Sequence, residues 1–223
     1  MIALTASPAA CLFDLDGLLL DTEPLHGRGW AEAARHFGGR LSNDQLLQLR
    51  GRRRQDCAQQ VVKWLTDPVS TEALLAVQQP IVRALLARAQ PMPHAQALVE
   101  HCDTAAVPMA LVTSSSRDAV AFKTAPHPWL DRITERIYGD DPQLRAGKPD
   151  PAPFLLAAER LGVAPQECWA LEDSRAGTAA ALAAGCKVWW VIADQQVPDD
   201  LDGNPCKVTD LGHVLKQLVS TGG

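Results

Sequence analysis

Four short apolar runs, each followed within two residues by a polar one, constrain this 223-residue chain more than any other feature. They are Ala9 to Phe13, Val107 to Val112, Cys168 to Leu171 and Lys187 to Ile192. The first stops at Asp14, the second at Thr113-Ser114-Ser115-Ser116, the third at Glu172-Asp173 and the fourth at Ala193-Asp194. Runs of this length with such ends read as buried strands. Helical patterns precede the last three, over 95–102, 152–161 and 178–184, with Pro151 suited to a helix start and Gly185 to a helix stop. Alternation of strand and helix implies an α/β chain with a parallel sheet and helices on both faces. Ligands of such sheets bind beyond the carboxyl ends of the strands, where Asp14, Thr113 and Asp173 fall.

The stretch 25–89 breaks the alternation. It reads as four helical segments, 25–37, 42–49, 55–66 and 71–88, followed by a Pro91-Met92-Pro93 linker. The expected organisation is a core of residues 1–24 and 90–223 with a helical unit, 25–89, inserted after the first strand. A hydrophobic content of 47% suffices for a sizeable core. The formal net charge of -5 provides no global basic field for nucleic acid, so an anionic ligand needs a local positive site. Arg50, Arg52, Arg53 and Arg54 form the obvious one. The six cysteines make no C-x-x-C or zinc spacing and mostly sit in apolar runs, as reduced cysteines do. Met1-Ile2-Ala3-Leu4 lacks the pattern of a signal peptide, and no apolar run approaches the ~18 residues of a membrane span. A cytoplasmic monomer without membrane or nucleic-acid partners is the expectation.

Asp14-Leu15-Asp16 places two carboxylates at a strand end, with Gly17 able to turn the chain behind them. Such a pair can divide labour between a nucleophile and a general acid/base, though by itself a polar loop is the commoner account of it. Thr113 to Ser116 offer hydroxyls and backbone donors for phosphate oxygens, or caps for the next helix. Lys148 lies in the stiff Gly147-Lys148-Pro149 turn, as a functional cation or a solvated one. Glu172-Asp173 adds two hard oxygen ligands that suit Mg²⁺, or an N-cap.

Taken in order, Asp14-Leu15-Asp16-Gly17, Thr113-Ser114, Lys148-Pro149 and Glu172-Asp173 resemble the haloacid dehalogenase-like hydrolase superfamily over nearly the whole chain. Asp16 to Glu23, Met109 to Ser115, Phe122-Lys123-Thr124 and Gly139 to Pro151 are similar, more narrowly, to its β-phosphoglucomutase and phosphatase branch, especially the pseudouridine-5′-phosphatases and glycerol-3-phosphate phosphatases. The resemblance implies a Rossmann-like core with a helical cap, and a Mg²⁺-dependent phosphatase of small phosphorylated metabolites. It makes Asp14 the nucleophile that becomes phosphorylated and Asp16 the acid and then the base. Asp14, the backbone carbonyl of Asp16 and Asp173 would hold Mg²⁺, with Glu172 in support. Thr113 would bond a phosphate oxygen, and Lys148 would offset the charge of Asp14 and the phosphoryl group. A phosphomutase using the same Asp14 and Asp16 is the alternative.

Substrate choice is expected from Arg54, His26, Ser114, Ser115 and Arg117. Arg54 matches an arginine that the mutases use for a second phosphate, and His26 matches a histidine of theirs. Both arginines also read as solvated surface residues. Trp30 and Trp64 read as cap core. The run Arg52-Arg53-Arg54 departs from the lysines of pseudouridine phosphatases and would fit a more anionic substrate.

Overall fold

A computed structural model describes residues 7–192, 201 and 203–221. The sequence features at Met1 to Leu4 and at Ala193-Asp194 lie outside the described residues.

The first strand, β1 (Ala10–Phe13), lies in the middle of a six-stranded sheet. Beside it lie β2 (Met109–Val112) and β4 (Cys168–Glu172), and beyond these β3 (Glu135–Ile137), β5 (Lys187–Val191) and β6 (Cys206–Val208). The order is β3-β2-β1-β4-β5-β6, with every pair parallel. The chain lays strands on one side of β1 and then crosses to the other. The carboxyl ends of β1, β2 and β4 therefore flank the reversal in strand order, where a crevice forms.

Both faces of the sheet are buried, which is why these strands read as unbroken apolar runs. Cys11 and Phe13 of β1 and Trp169 and Leu171 of β4 face one core, together with α5 (Ala95–Thr104) and α9 (Leu211–Thr221). Ala10, Leu12, Cys168 and Ala170 face the other, under α7 (Ala152–Leu161) and α8 (Arg175–Ala183). The period of two along each strand assigns every residue to one layer. Five of the six cysteines are buried and all are free, in keeping with their apolar settings.

Between β1 and β2 run α1 (Glu23–His36), α2 (Asn43–Leu49), α3 (Arg54–Trp64) and α4 (Thr71–Leu86). They bury a core of their own around Trp30, Ala33, Val61 and Leu74, against which Trp64 packs. Ser42 caps α2 by a reciprocal capping box with Gln45, and Ser70 caps α4. Among the described residues, no helix is long and apolar enough to cross a membrane.

The strands β3 and β6 and the helices α6 (Arg117–Thr124) and α9 carried no clear signal. The edge strands β3 and β6 have three residues each, with Arg136 and Lys207 at their centres. The short helix α6 begins where Ser116 accepts from the backbone of Ala119, directly after the serine run.

Candidate functional site

At the end of β1 the chain doubles back: the Gly17 amide donates to the Leu20 carbonyl at 2.8 Å. Gly17 has φ +89, and a β-carbon there would lie 2.3 Å from Asp173 Oδ2. Only glycine meets both demands, so the turn brings the Asp14–Asp16 segment against the end of β4.

Lys148 joins these two strand ends. Its buried Nζ donates to Asp14 Oδ1 at 2.5 Å, to the Val112 carbonyl at 2.8 Å and to Glu172 Oε1. The other Glu172 oxygen accepts from Ser174 Oγ at 3.2 Å, while Ser174 also caps α8. Trp190 Nε1 donates to the Asp173 carbonyl at 3.2 Å and fixes the loop beyond β4. Asp173 Oδ1 is buried without a hydrogen-bond partner.

One ammonium cannot neutralise so many buried acids. Burial pushes the Asp14 carboxyl above the usual range, against the pull of Lys148. Burial likewise raises Glu172 to about 7, again with Lys148 opposing. Asp173 is pushed well up by burial and by Glu23, Asp14 and Glu172. For Lys148 burial works against the charge, but Asp14 and Glu172 outweigh it and hold the ammonium above its ordinary value. Asp14, Glu172 and Asp173 each offer an oxygen, all within 4.8 Å of one another. Hard, uncompensated oxygens with one orphaned atom fit a divalent cation such as Mg²⁺.

Asp16 has a different setting. Lys123 Nζ lies 2.6 Å from Asp16 Oδ1 and 2.5 Å from Oδ2. Thr22 Oγ1 donates at 2.6 Å, Ser115 Oγ at 2.8 Å, and His26 Nε2 lies at 3.3 Å. Burial would raise this carboxyl, but Lys123 and then His26 outweigh it and hold it well below the usual range. Asp16 is thus ionised and turned toward α6 and α1, apart from the group of three acids.

A cavity of about 810 Å³ opens above Asp14 and Asp16. Thr113, Ser114 and Ser115 line its floor, and His26 and Arg52 to Arg54 reach it from the inserted helices. Ser114 Oγ donates to the Gly51 carbonyl at 2.8 Å, and Arg50 pairs with Glu23 at 3.0 Å. Gly51 has φ +70, and a β-carbon there would sit 2.0 Å from Ser174 Oγ. The arginine loop therefore rests with its backbone directly on the core.

The structure brings Asp14, Asp16, Thr113, Lys148, Glu172 and Asp173 to one end of the sheet, with Ser114, Ser115, His26 and Arg54 around the cavity. His26 also contacts Asp16. Arg117 does not line the cavity: it is exposed, its guanidinium lies 4.4 Å from the Tyr138 ring centroid, and its amide is held by Asp140 Oδ1. Its position at the start of α6 turns it away. Lys123 and Thr22 have no individual role in the sequence pattern, and Arg53 enters it only as a member of the basic cluster. For Lys123 a signal existed: it follows Val120 by three residues, which puts a lysine on the buried face of α6.

The haloacid dehalogenase-like hydrolase family model matches residues 8–185. A Drosophila melanogaster protein named as a probable pseudouridine-5′-phosphatase is 36% identical over 182 residues, 80% of this chain and 79% of that protein. Hexitol phosphatase A of Escherichia coli K12 is 32% identical over 201 residues, 84% of each. The structure of CbbY from Rhodobacter sphaeroides, solved with phosphate, superposes with a TM-score of 0.80 at 23% identity, covering 95% of this chain and 99% of that one.

Proposed function

The chain belongs to the haloacid dehalogenase-like hydrolase family, and from that premise we propose that it is a Mg²⁺-dependent phosphomonoesterase of small phosphorylated metabolites. The observation that carries this reading is the buried Lys148 bridge between Asp14 and Glu172 beside the unpartnered Asp173 oxygen. It supplies a nucleophile, a fixed cation and hard oxygens for a second cation at one strand end. Such a site suits phosphoryl transfer, which depends on positioning and charge stabilisation. The relatives, named for pseudouridine 5′-phosphate and for hexitol phosphates, support small phosphorylated polyols or nucleosides as substrates.

Asp14 attacks phosphorus with one carboxylate oxygen; the P–O bond to the substrate breaks, and the leaving alkoxide takes a proton from Asp16. Water then attacks the aspartyl phosphate, gives its proton to Asp16 and releases inorganic phosphate. Asp14, Asp173 and the backbone carbonyl of Asp16 would hold Mg²⁺, with Glu172 behind them. The bound ion would offset charge on the phosphoryl oxygens. Thr113 bonds one of these oxygens, and Lys148 offsets the negative charge of Asp14 and the phosphoryl group. The contact with Lys123 suits the second step, since it keeps Asp16 ionised and ready to accept a proton. The first step requires that contact to open and Asp16 to take up a proton from water, which it then passes to the leaving alkoxide and regains from the attacking water in the second step. Residues 25–89 act as a cap that excludes water and selects the substrate, with Arg54, Ser114, Ser115 and His26 toward it.

Phosphate release from a panel of nucleoside, sugar and polyol phosphates with Mg²⁺ tests the proposal. Release from one class, abolished by chelator and by Asp14→Asn, is the expected result. Full activity of Asp14→Asn would sink the mechanism.

A further inference from the structure

Arg53 is the N-cap of α3 in the loop that rests on the core. Its side chain lies along Gly147, next to Lys148: a β-carbon on Gly147 would be 2.3 Å from Arg53 Nε and 3.0 Å from Cζ. The guanidinium is therefore laid from the cap onto the core, inside the cavity that holds Asp14. Its Nε and Nη2 atoms are both buried, and neither has a hydrogen-bond partner. Among the described residues, no carboxylate pairs with Arg52, Arg53 or Arg54, whereas neighbouring Arg50 is held by Glu23.

The identity of the two atoms is informative. Nε–H and one Nη–H point the same way and form the side-on fork of a guanidinium. This fork matches two oxygens of one carboxylate or phosphate. Buried donors without partners are costly to keep, and the buried ammonium groups of the site are both satisfied by protein. Asp14 and Glu172 share Lys148, and Asp16 has Lys123. The fork alone, among these cations, has nothing to hold.

We propose that the Nε/Nη2 fork of Arg53 is a subsite for a second oxyanion on the substrate, a carboxylate or phosphate separate from the phosphoryl group that Asp14 receives. This rests on the phosphatase reading above and narrows it to substrates with an anionic tail. The open arginines Arg52 and Arg54 at the cavity wall reinforce the same preference by Coulomb attraction.

Two matched substrate pairs test it: glycerol 3-phosphate against 3-phosphoglycerate, and fructose 1-phosphate against fructose 1,6-bisphosphate. Each is assayed with wild type, Arg53→Gln and Arg53→Lys. The wild type should favour the anionic member of at least one pair, and the responding pair tells carboxylate from phosphate. In Arg53→Gln the ratio of kcat/KM, anionic over neutral, should fall about tenfold to a hundredfold, with Arg53→Lys between. Misfolding lowers both members of a pair and cancels in the ratio. Hydrolysis without anionic preference, or an equal loss on both members, overturns the subsite and leaves the phosphatase reading standing. No hydrolysis by wild type overturns the phosphatase reading instead. Calorimetric titration of wild type and Arg53→Gln with the same four compounds then decides the subsite. A preference for the anionic members that Arg53→Gln loses supports it; no preference overturns it.

Discussion

Removing divalent cations should make the protein lose stability as the pH rises from 5 to 8. The cause is the group of buried acids around Lys148. Burial lifts Glu172 from its ordinary 4.5 to about 7, with Lys148 opposing. A carboxyl raised in the folded state favours folding while protonated. That contribution is complete below pH 4.5 and is lost as the pH climbs through about 7. For Glu172 the difference amounts to about 3 kcal/mol. Asp14 and Asp173 shift in the same direction and steepen the loss. Asp16, held low, contributes the opposite sense only in acid, below its ordinary 3.8. A bound cation reverses the trend because its ligands must be deprotonated. Mg²⁺ at 100 times its dissociation constant adds about 2.7 kcal/mol. Urea unfolding at pH 5 and pH 8, in chelator and in excess Mg²⁺, reads all four corners. The expected pattern is a lower midpoint at pH 8 in chelator and a larger Mg²⁺ gain at pH 8 than at pH 5. Glu172→Gln should flatten the chelator slope. A chelated protein as stable at pH 8 as at pH 5, or equal Mg²⁺ gains, would refute the reasoning.

Gly177→Ala should weaken Mg²⁺ binding about tenfold or more, because a β-carbon there would lie 2.1 Å from the Glu172 carboxyl and push it off Lys148; calorimetry checks this, and unchanged affinity would count against Glu172 as a support of the metal site. Lys123→Met removes the leading counter-charge of Asp16, so the Asp16 carboxyl should rise and the acid limb of single-turnover dephosphorylation should move to higher pH. An unmoved limb would show that Asp16 is not the base of that step.

The sheet and the strand-end acids were legible because both depend on local pattern. A buried parallel strand is a continuous apolar run, and a run that stops on Asp14 or Glu172 announces its functional end. The edge strands at Arg136 and Lys207 lack the run because only one side of each has a strand to pair with. Lys123 escaped for another reason. A lysine's partner is decided by tertiary distance, and Asp16 is 107 residues away in sequence. Arg53 was legible only as one of a basic cluster: the placing of its guanidinium depends on Gly147, whose missing side chain makes room for it. Arg117 shows the converse error, since a residue next to the serine run is turned outward by the first turn of α6.

The charges around the cavity sort into two layers. On the core side Asp14, Asp16, Glu23, Glu172 and Asp173 meet Lys148, Lys123 and Arg50. Five carboxylates against three cations leave a deficit of two, the charge of one divalent ion, and it is concentrated at Asp173, the acid with an unpartnered buried oxygen. On the cap side Arg52, Arg53 and Arg54 carry three positive charges that these acids do not pair. On the proposed mechanism a substrate with a single phosphoryl group would meet the core layer through Mg²⁺ and Lys148 and leave the cap layer unanswered. A second anionic group answers it and at the same time ties the cap loop to the core across the reacting phosphorus. On that proposal closure and selection would be one event, because the group that identifies the substrate would also complete the wall that excludes water.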